Sequence, residues 1–145
     1  MKHLLLTALI ICTTIALQAQ FYVGAGAGAT PKGKAAAELQ LGYNFKFLLL
    51  QTGFVTHTNA TDPALFQIKT GHEFRFNRQA IVITGGYAYH LQSENYKENN
   101  NSSYTTGIEY LKYISDGGAL YTGVTNSGEY TFITAGLKYF FRRQR

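Results

Sequence analysis

Residues 37–45 alternate without a slip: Ala37, Leu39, Leu41, Tyr43 and Phe45 take one parity, and Glu38, Gln40, Gly42 and Asn44 take the other. A period of two is the mark of a strand whose faces meet different surroundings. The same period recurs in eight segments, 21–30, 35–46, 48–57, 65–76, 80–91, 104–114, 119–126 and 129–141. Several connections carry turn chemistry, including Pro31, Asp116-Gly117 and Asn126-Ser127-Gly128. No helical apolar stripe competes. The pattern predicts an all-β fold, a closed antiparallel eight-stranded barrel running as an up-and-down meander.

Periodicity alone does not say which face points inward, but charge does. A Lys or Arg facing lipid at the bilayer midplane costs about 2–4 kcal/mol. Lys69, Lys138, Glu38, Glu73 and Glu109 all lie well inside their strands, on the face that carries glycine. Placing that face in a lumen leaves Leu39, Leu41, Phe54, Ile68, Ile83, Ile108 and Leu137 on the opposite one, a credible lipid-facing band. The strands are then inside out relative to a soluble protein. Glu38, Gln40, Lys69, Glu73, Glu109 and Lys138 form an expected lumen network, with Arg75 as a further cation. Buried charges must be paired, so this network reads as a neutral structural plug, with Lys138 expected between Glu109 and Glu73. Glycines on the same face relieve crowding, because eight strands leave room only for side chains. His72 and Lys112 fall on the lipid face. Lys112 can snorkel to headgroups. His72 is either neutral at an interface or shifted by a bulge.

Five segments carry glycine followed three residues later by an aromatic, at Gly42, Gly71, Gly86, Gly107 and Gly136. Four of them fall on even-numbered strands, which run in one direction. Their aromatics, Phe45, Phe74, Tyr110 and Tyr139, are expected to form a girdle at one membrane interface. The longer connections, "TNATDPA" and "QSENYKENNNSS", lie at one end, and the shorter junctions near Lys46, at "NRQ" and at "SDGG" lie at the other. Outer-membrane barrels show this asymmetry, with long loops outside.

Residues 1–20 read as a secretory signal peptide, with a basic start at Lys2 and His3, an uncharged run over 4–17 and Ala19 at a plausible cleavage position. Residues 21–145 are then the barrel. Cys12 is the only cysteine, so the mature chain has no disulfide framework. The chain carries 13 basic and 8 acidic side chains. An excess of positive charge invites a nucleic-acid reading; export and the scatter of the charges argue against one. A soluble lipocalin-like ligand-binding barrel is the competing eight-stranded reading.

The leader, the repeated Gly-x-x-aromatic strands, "LGYNF" and the terminal "GLKYFF" together resemble the small outer-membrane β-barrel proteins, similar to the OmpA and OmpX barrels. The resemblance implies residence in the bacterial outer membrane among its lipids and insertion by the barrel-assembly machinery. It also implies a porin-like wall in the cell envelope, without an activity. "RRQR" after Phe141 departs from chains that stop at the aromatic. Outer-membrane lipid A deacylases are eight-stranded enzymes with a His-x-Ser-Asn signature. Residues 55–60 read "VTHTNA", so the hydroxyl of Thr58 is adjacent to His57 and points to the opposite face; the match fails on spacing. His57 and His90 are expected at the lumen rim, and two histidines alone are a weak metal signal. No catalytic residue, metal site or cofactor is expected. Loop 92–103 could meet a surface partner. The expected role is structural or surface-interacting.

Overall fold

The computed structural model describes residues 20–45, 48–57, 64–91 and 102–141. Eight strands follow one another: β1 (Gln20–Ala29), β2 (Ala35–Asn44), β3 (Leu49–His57), β4 (Ala64–Phe76), β5 (Gln79–Leu91), β6 (Ser102–Tyr113), β7 (Gly118–Ser127) and β8 (Tyr130–Phe140). Each pairs antiparallel with its sequence neighbour, and β1 pairs with β8, so the sheet closes on itself. Every expected segment is a strand, with ends displaced by one or two residues. β1 begins at Gln20, inside the span assigned to the leader; residues 1–19 lie outside the described residues, as do 142–145.

The register fixes the shape. A row begun at Phe21 passes Tyr43, Leu50, Thr70, Gly85, Thr106, Asn126 and Thr131, and the β1–β8 register, extended past Ala29↔Ile133, brings it to the level of Pro31, ten residues on from Phe21 and just beyond β1. With this stagger and ordinary strand spacings, the strands tilt about 40° from the barrel axis. Such a barrel encloses side chains and no open channel.

Tight turns join the strands. Asn77 (φ 55°) and Gly128 (φ 60°) open two-residue hairpins between Phe76 and Gln79 and between Ser127 and Tyr130. A left-handed residue at that place matches the twist of the flanking strands, and Asn and Gly tolerate it best. The end holding Phe45, Leu48 and residues 77–78 and 114–117 is called here the turn end. The opposite end holds 30–34, 128–129 and the two longer connections, 58–63 and 92–101, and is called the loop end; those two connections lie outside the described residues.

The barrel is inside out, as charge placement predicts. Leu39, Ile68, Ile108, Ile133 and Leu137 are 50–60% exposed on the outer wall. Glu38, Gln40, Lys69, Glu109 and Lys138 are almost fully buried inside. An exposed apolar band that encircles the molecule far exceeds the patches found on soluble monomers. The soluble barrel reading fails on this wall. No helix among the described residues is long and apolar enough to cross a membrane.

Aromatic side chains mark both ends of the band, unequally. At the turn end Phe21 lies 5.2 Å from Tyr43 and 5.2 Å from Phe141, and Tyr139 lies 5.1 Å from Phe141. Phe74 and Tyr110 extend that ring outward on β4 and β6, and Phe45, half-buried just past β2, stacks with Tyr43 at 6.4 Å. At the loop end the aromatics Phe54, Phe66, Tyr87, Tyr89 and Tyr104 all lie on β3 to β6. The matching positions on β1 and β2 are small, among them Ala25, Ala27 and Ala37.

Two glycines show why that residue recurs on the inner face. A Cβ on Gly42 would strike the ring of Tyr22, and one on Gly26 would strike the hydroxyl of Tyr121. Gly85 has open space where its side chain would be. Gly42→Ala is therefore expected to lower stability by about 1–3 kcal/mol, the usual cost of overpacking. Gly85→Ala is expected to leave it unchanged or raise it. Urea unfolding in detergent micelles, followed by circular dichroism, compares the two.

Candidate functional site

Among the described residues, charged and hydrogen-bonding side chains converge in the lumen. Alternation aims Glu38 and Gln40 of β2, Lys69 of β4, Glu109 of β6 and Lys138 of β8 at the barrel axis. Their arrangement is a ladder of hydrogen bonds at successive depths.

Glu109 stands at the centre. One carboxylate oxygen accepts from Gln40 at 3.1 Å and from Gln51 at 3.4 Å, and the other pairs with Lys138. The Lys138 ammonium also lies over the rings of Tyr22, at 4.9 Å, and Tyr121, at 5.0 Å. Tyr22 donates its hydroxyl to Gln51 at 3.0 Å, so ring and hydroxyl serve the same cluster. One step toward the loop end, Glu38 accepts from the Tyr121 hydroxyl at 3.3 Å and faces Lys69 at 3.9 Å. Lys69 Nζ makes no hydrogen bond among the described residues, so this second pair is the looser of the two. Further on, Gln67 donates to Ser127 at 3.0 Å and Ser127 to Thr105 at 2.7 Å.

Glu73 belongs to a separate unit at the turn end. It was expected to share Lys138 with Glu109. Instead Arg75 Nε donates to it at 2.7 Å, the Tyr113 hydroxyl donates to it at 2.7 Å, and Asn44 donates to its other oxygen. Arg75 also lies over the Tyr113 ring at 4.5 Å. The expectation took equal place in a Gly-x-x-aromatic motif for equal depth. The stagger of ten residues around the barrel separates those places, and Arg75 stands two residues away on the same face of the same strand. The expected excess-free set of three acids and three bases thus resolves into three neutral pairs, Glu109–Lys138, Glu38–Lys69 and Glu73–Arg75.

Tyr22, Gln51, Gln67, Tyr113 and Tyr121 complete this network and were not singled out from sequence. Parity was the available signal: Tyr22 shares the face of Gly24 and Gly26, and Tyr113 shares that of Glu109.

The remaining residues fall as follows. His72 points outward and meets Phe74 edge-on at 4.6 Å. Pairing of β4 with β5 runs unbroken from Gly71 to Phe74, so no bulge shifts it. Lys112 is exposed on the outer wall, one residue from the turn-end limit of β6. His57 and His90 line the lumen rim at the loop end. His57 lies 5.2 Å from Phe132 and 5.7 Å from Tyr130, and His90 meets Tyr130 at 5.8 Å and Ser103 at 3.1 Å. Thr58 and Asn59 lie outside the described residues. No group of three His, Cys, Asp or Glu side chains able to hold a metal occurs among the described residues.

Solved structures share this architecture. The N-terminal β-barrel domain of Pseudomonas aeruginosa OprF is 12% identical, with a TM-score of 0.65 over 86% of this chain and 100% of that one. Ail, the attachment invasion locus protein of Yersinia pestis, is 12% identical, with a TM-score of 0.56 over 85% and 97%. The outer membrane enzyme PagL is 13% identical, with a TM-score of 0.55 over 84% and 99%. No family model matches the chain, and no curated protein matches it. The chain therefore has the fold of the eight-stranded transmembrane barrels, at identities that speak for the fold alone.

Separate pairs make separable predictions. Lys138→Met strands Glu109 in the lumen and is expected to cost about 3–5 kcal/mol of unfolding stability in detergent or lipid. Lys112→Met is expected to cost far less, because that charge reaches headgroups and water. Adding Glu109→Gln to Lys138→Met should recover most of the loss. Glu73→Gln shares no partner with Lys138, so the two losses should add to within about 0.5 kcal/mol. Strong non-additivity would restore the shared-lysine arrangement.

Proposed function

We propose that the chain is a small integral protein of the bacterial outer membrane, a plugged barrel with a structural or surface-interacting role and its loop end outward. The observation that carries this reading is the pairing of opposites across one wall. The outer face is a predominantly apolar band, and the strand charges other than Lys112, which lies near the turn-end limit, face inward in neutral pairs. Lipid is the surrounding that suits the first, and a closed lumen suits the second. The basic, apolar start of the chain supports export, and the fold shared with OprF, Ail and PagL supports the outer membrane as destination. Outer-membrane lipids and the barrel-assembly machinery are the partners this implies. Loop 92–103 at the loop end is the segment that would meet a surface partner.

The reading is non-enzymatic. His57 faces the lumen rim between aromatic rings, and the inward carboxylates already hold partners. Lipid extracts of cells with and without the gene are expected to show the same lipid A species; a change in acylation on deletion would favour a lipid-modifying enzyme.

Refolding tests the membrane reading. The purified chain is expected to fold into detergent micelles and to migrate faster on a gel before boiling than after it. In planar bilayers it should show no steady porin-sized conductance, since the lumen is filled. A chain that stays soluble and monomeric without detergent would sink the proposal.

A further inference from the structure

The outer wall is not uniformly convex. Between β5 and β8, at mid-height, runs a groove of about 610 Å³. Ile83, Ile108, Val124 and Ile133, all about half exposed, line it as one row of cross-strand partners, with the short side chain of Thr106 beside that row toward the loop end and that of Thr122 beside it toward the turn end. Beside the row the wall is low, because Thr106 pairs with Gly85 and Asn126, and Thr122 with Tyr110 and Ala135. Toward the loop end it reaches Asn126. The Asn126 amide donates to the Thr131 hydroxyl at 3.0 Å. Thr131 in turn borders a second hollow, of about 280 Å³, lined by Lys32, Lys34 and Glu129. The β1–β2 turn that presents the lysines is held in shape by Thr30: its N–H donates to the Lys34 carbonyl at 2.8 Å, and its carbonyl accepts from Gly33 at 2.9 Å.

Read from mid-membrane outward, the wall offers an apolar groove, then an amide and hydroxyl, then a hollow with two cations against one anion. An anionic lipid presents the complementary sequence: acyl chain, ester, phosphate. We propose that this face of β6, β7 and β8 is a binding track for one anionic, phosphate-bearing membrane lipid, with its chain in the groove, its ester at Asn126 and Thr131, and its phosphate at Lys32 and Lys34. The inference rests on the membrane reading above, but not on which end faces outward. Charge complementarity selects the occupant: a neutral lipid fills the groove equally well and gains nothing from the lysines.

The chain has no tryptophan, so a single introduced one is the sole indole fluorophore. Ala135→Trp places it on the outer wall beside the groove, opposite Thr122 in the register. Phe54→Trp places it on β3, across the barrel. Each variant is folded into phosphatidylcholine vesicles containing either brominated phosphatidylglycerol or brominated phosphatidylcholine, whose bromines quench tryptophan on contact. At Ala135→Trp the anionic lipid is expected to be favoured about five-fold, the worth of one net lysine charge at an anionic surface. At Phe54→Trp the two lipids should quench equally. The preference at Ala135→Trp should vanish when Lys32→Gln and Lys34→Gln are added together, and also when Thr106→Leu fills the groove beside Asn126. Equal quenching at Ala135→Trp overturns the proposal. So does an equal anionic preference at both reporters, and so does a preference that survives either the lysine or the groove substitution. Failure of the chain to float with vesicles would overturn the membrane reading itself, and the lipid track with it.

Discussion

Everything described here depends on the meeting of β1 with β8. Their register runs from Tyr22 opposite Phe140 to Ala29 opposite Ile133. Without that seam the sheet would present two edges of unpaired N–H and C=O groups, which hydrocarbon cannot solvate. With it, every strand has two neighbours. The stagger that closes the seam also sets the width of the lumen. That width is what lets a lysine on β8 reach a carboxylate on β6, and a tyrosine on β1 lie against that lysine. The filled interior is a product of closure, assembled from the first and last strands of the barrel and those between.

The same seam explains the choice of inner residues. A lumen this narrow can hold large side chains only where others are absent, and glycine at 26 and 42 clears the space that Tyr121 and Tyr22 occupy. Charges inside it cannot be left alone, because removing an ion from water costs far more than one hydrogen bond returns. Neutrality is met locally and not merely in sum: each acid has its base within its own layer. Glutamine and tyrosine do the remaining work, taking up the carboxylate lone pairs that a single lysine leaves over.

Much of this was legible in the sequence, since a period of two survives translation into structure almost unchanged. Strand number, order, the inward face and the outward face all follow from parity plus the cost of a charge in lipid. Glu38, Lys69, Glu109 and Lys138 are inward for that reason. What parity does not contain is depth. Partners across a tilted barrel are set by stagger, which no local motif records, and so Glu73 was matched to the wrong cation while Arg75 lay two residues away. Depth also hid the one-sided ring of Phe54, Phe66, Tyr87, Tyr89 and Tyr104. Each is visible as an outward aromatic, but only the register shows that they share an end and a side. The lumen tyrosines were missed for a different reason: attention to formal charge passes over neutral groups that bind charge.

That one-sided ring gives the molecule a front and a back. Aromatic rings anchor the loop end over β3 to β6, whereas alanine lines the same height on β1 and β2. Lipid chains beside the alanine side come closer to the backbone than those beside the rings. A cylinder of even girth can spin in its membrane without changing what its neighbours meet. This barrel cannot: each turn about its axis exchanges a broad, ringed surface for a slim one, so its azimuth becomes a property that the surrounding membrane can sense.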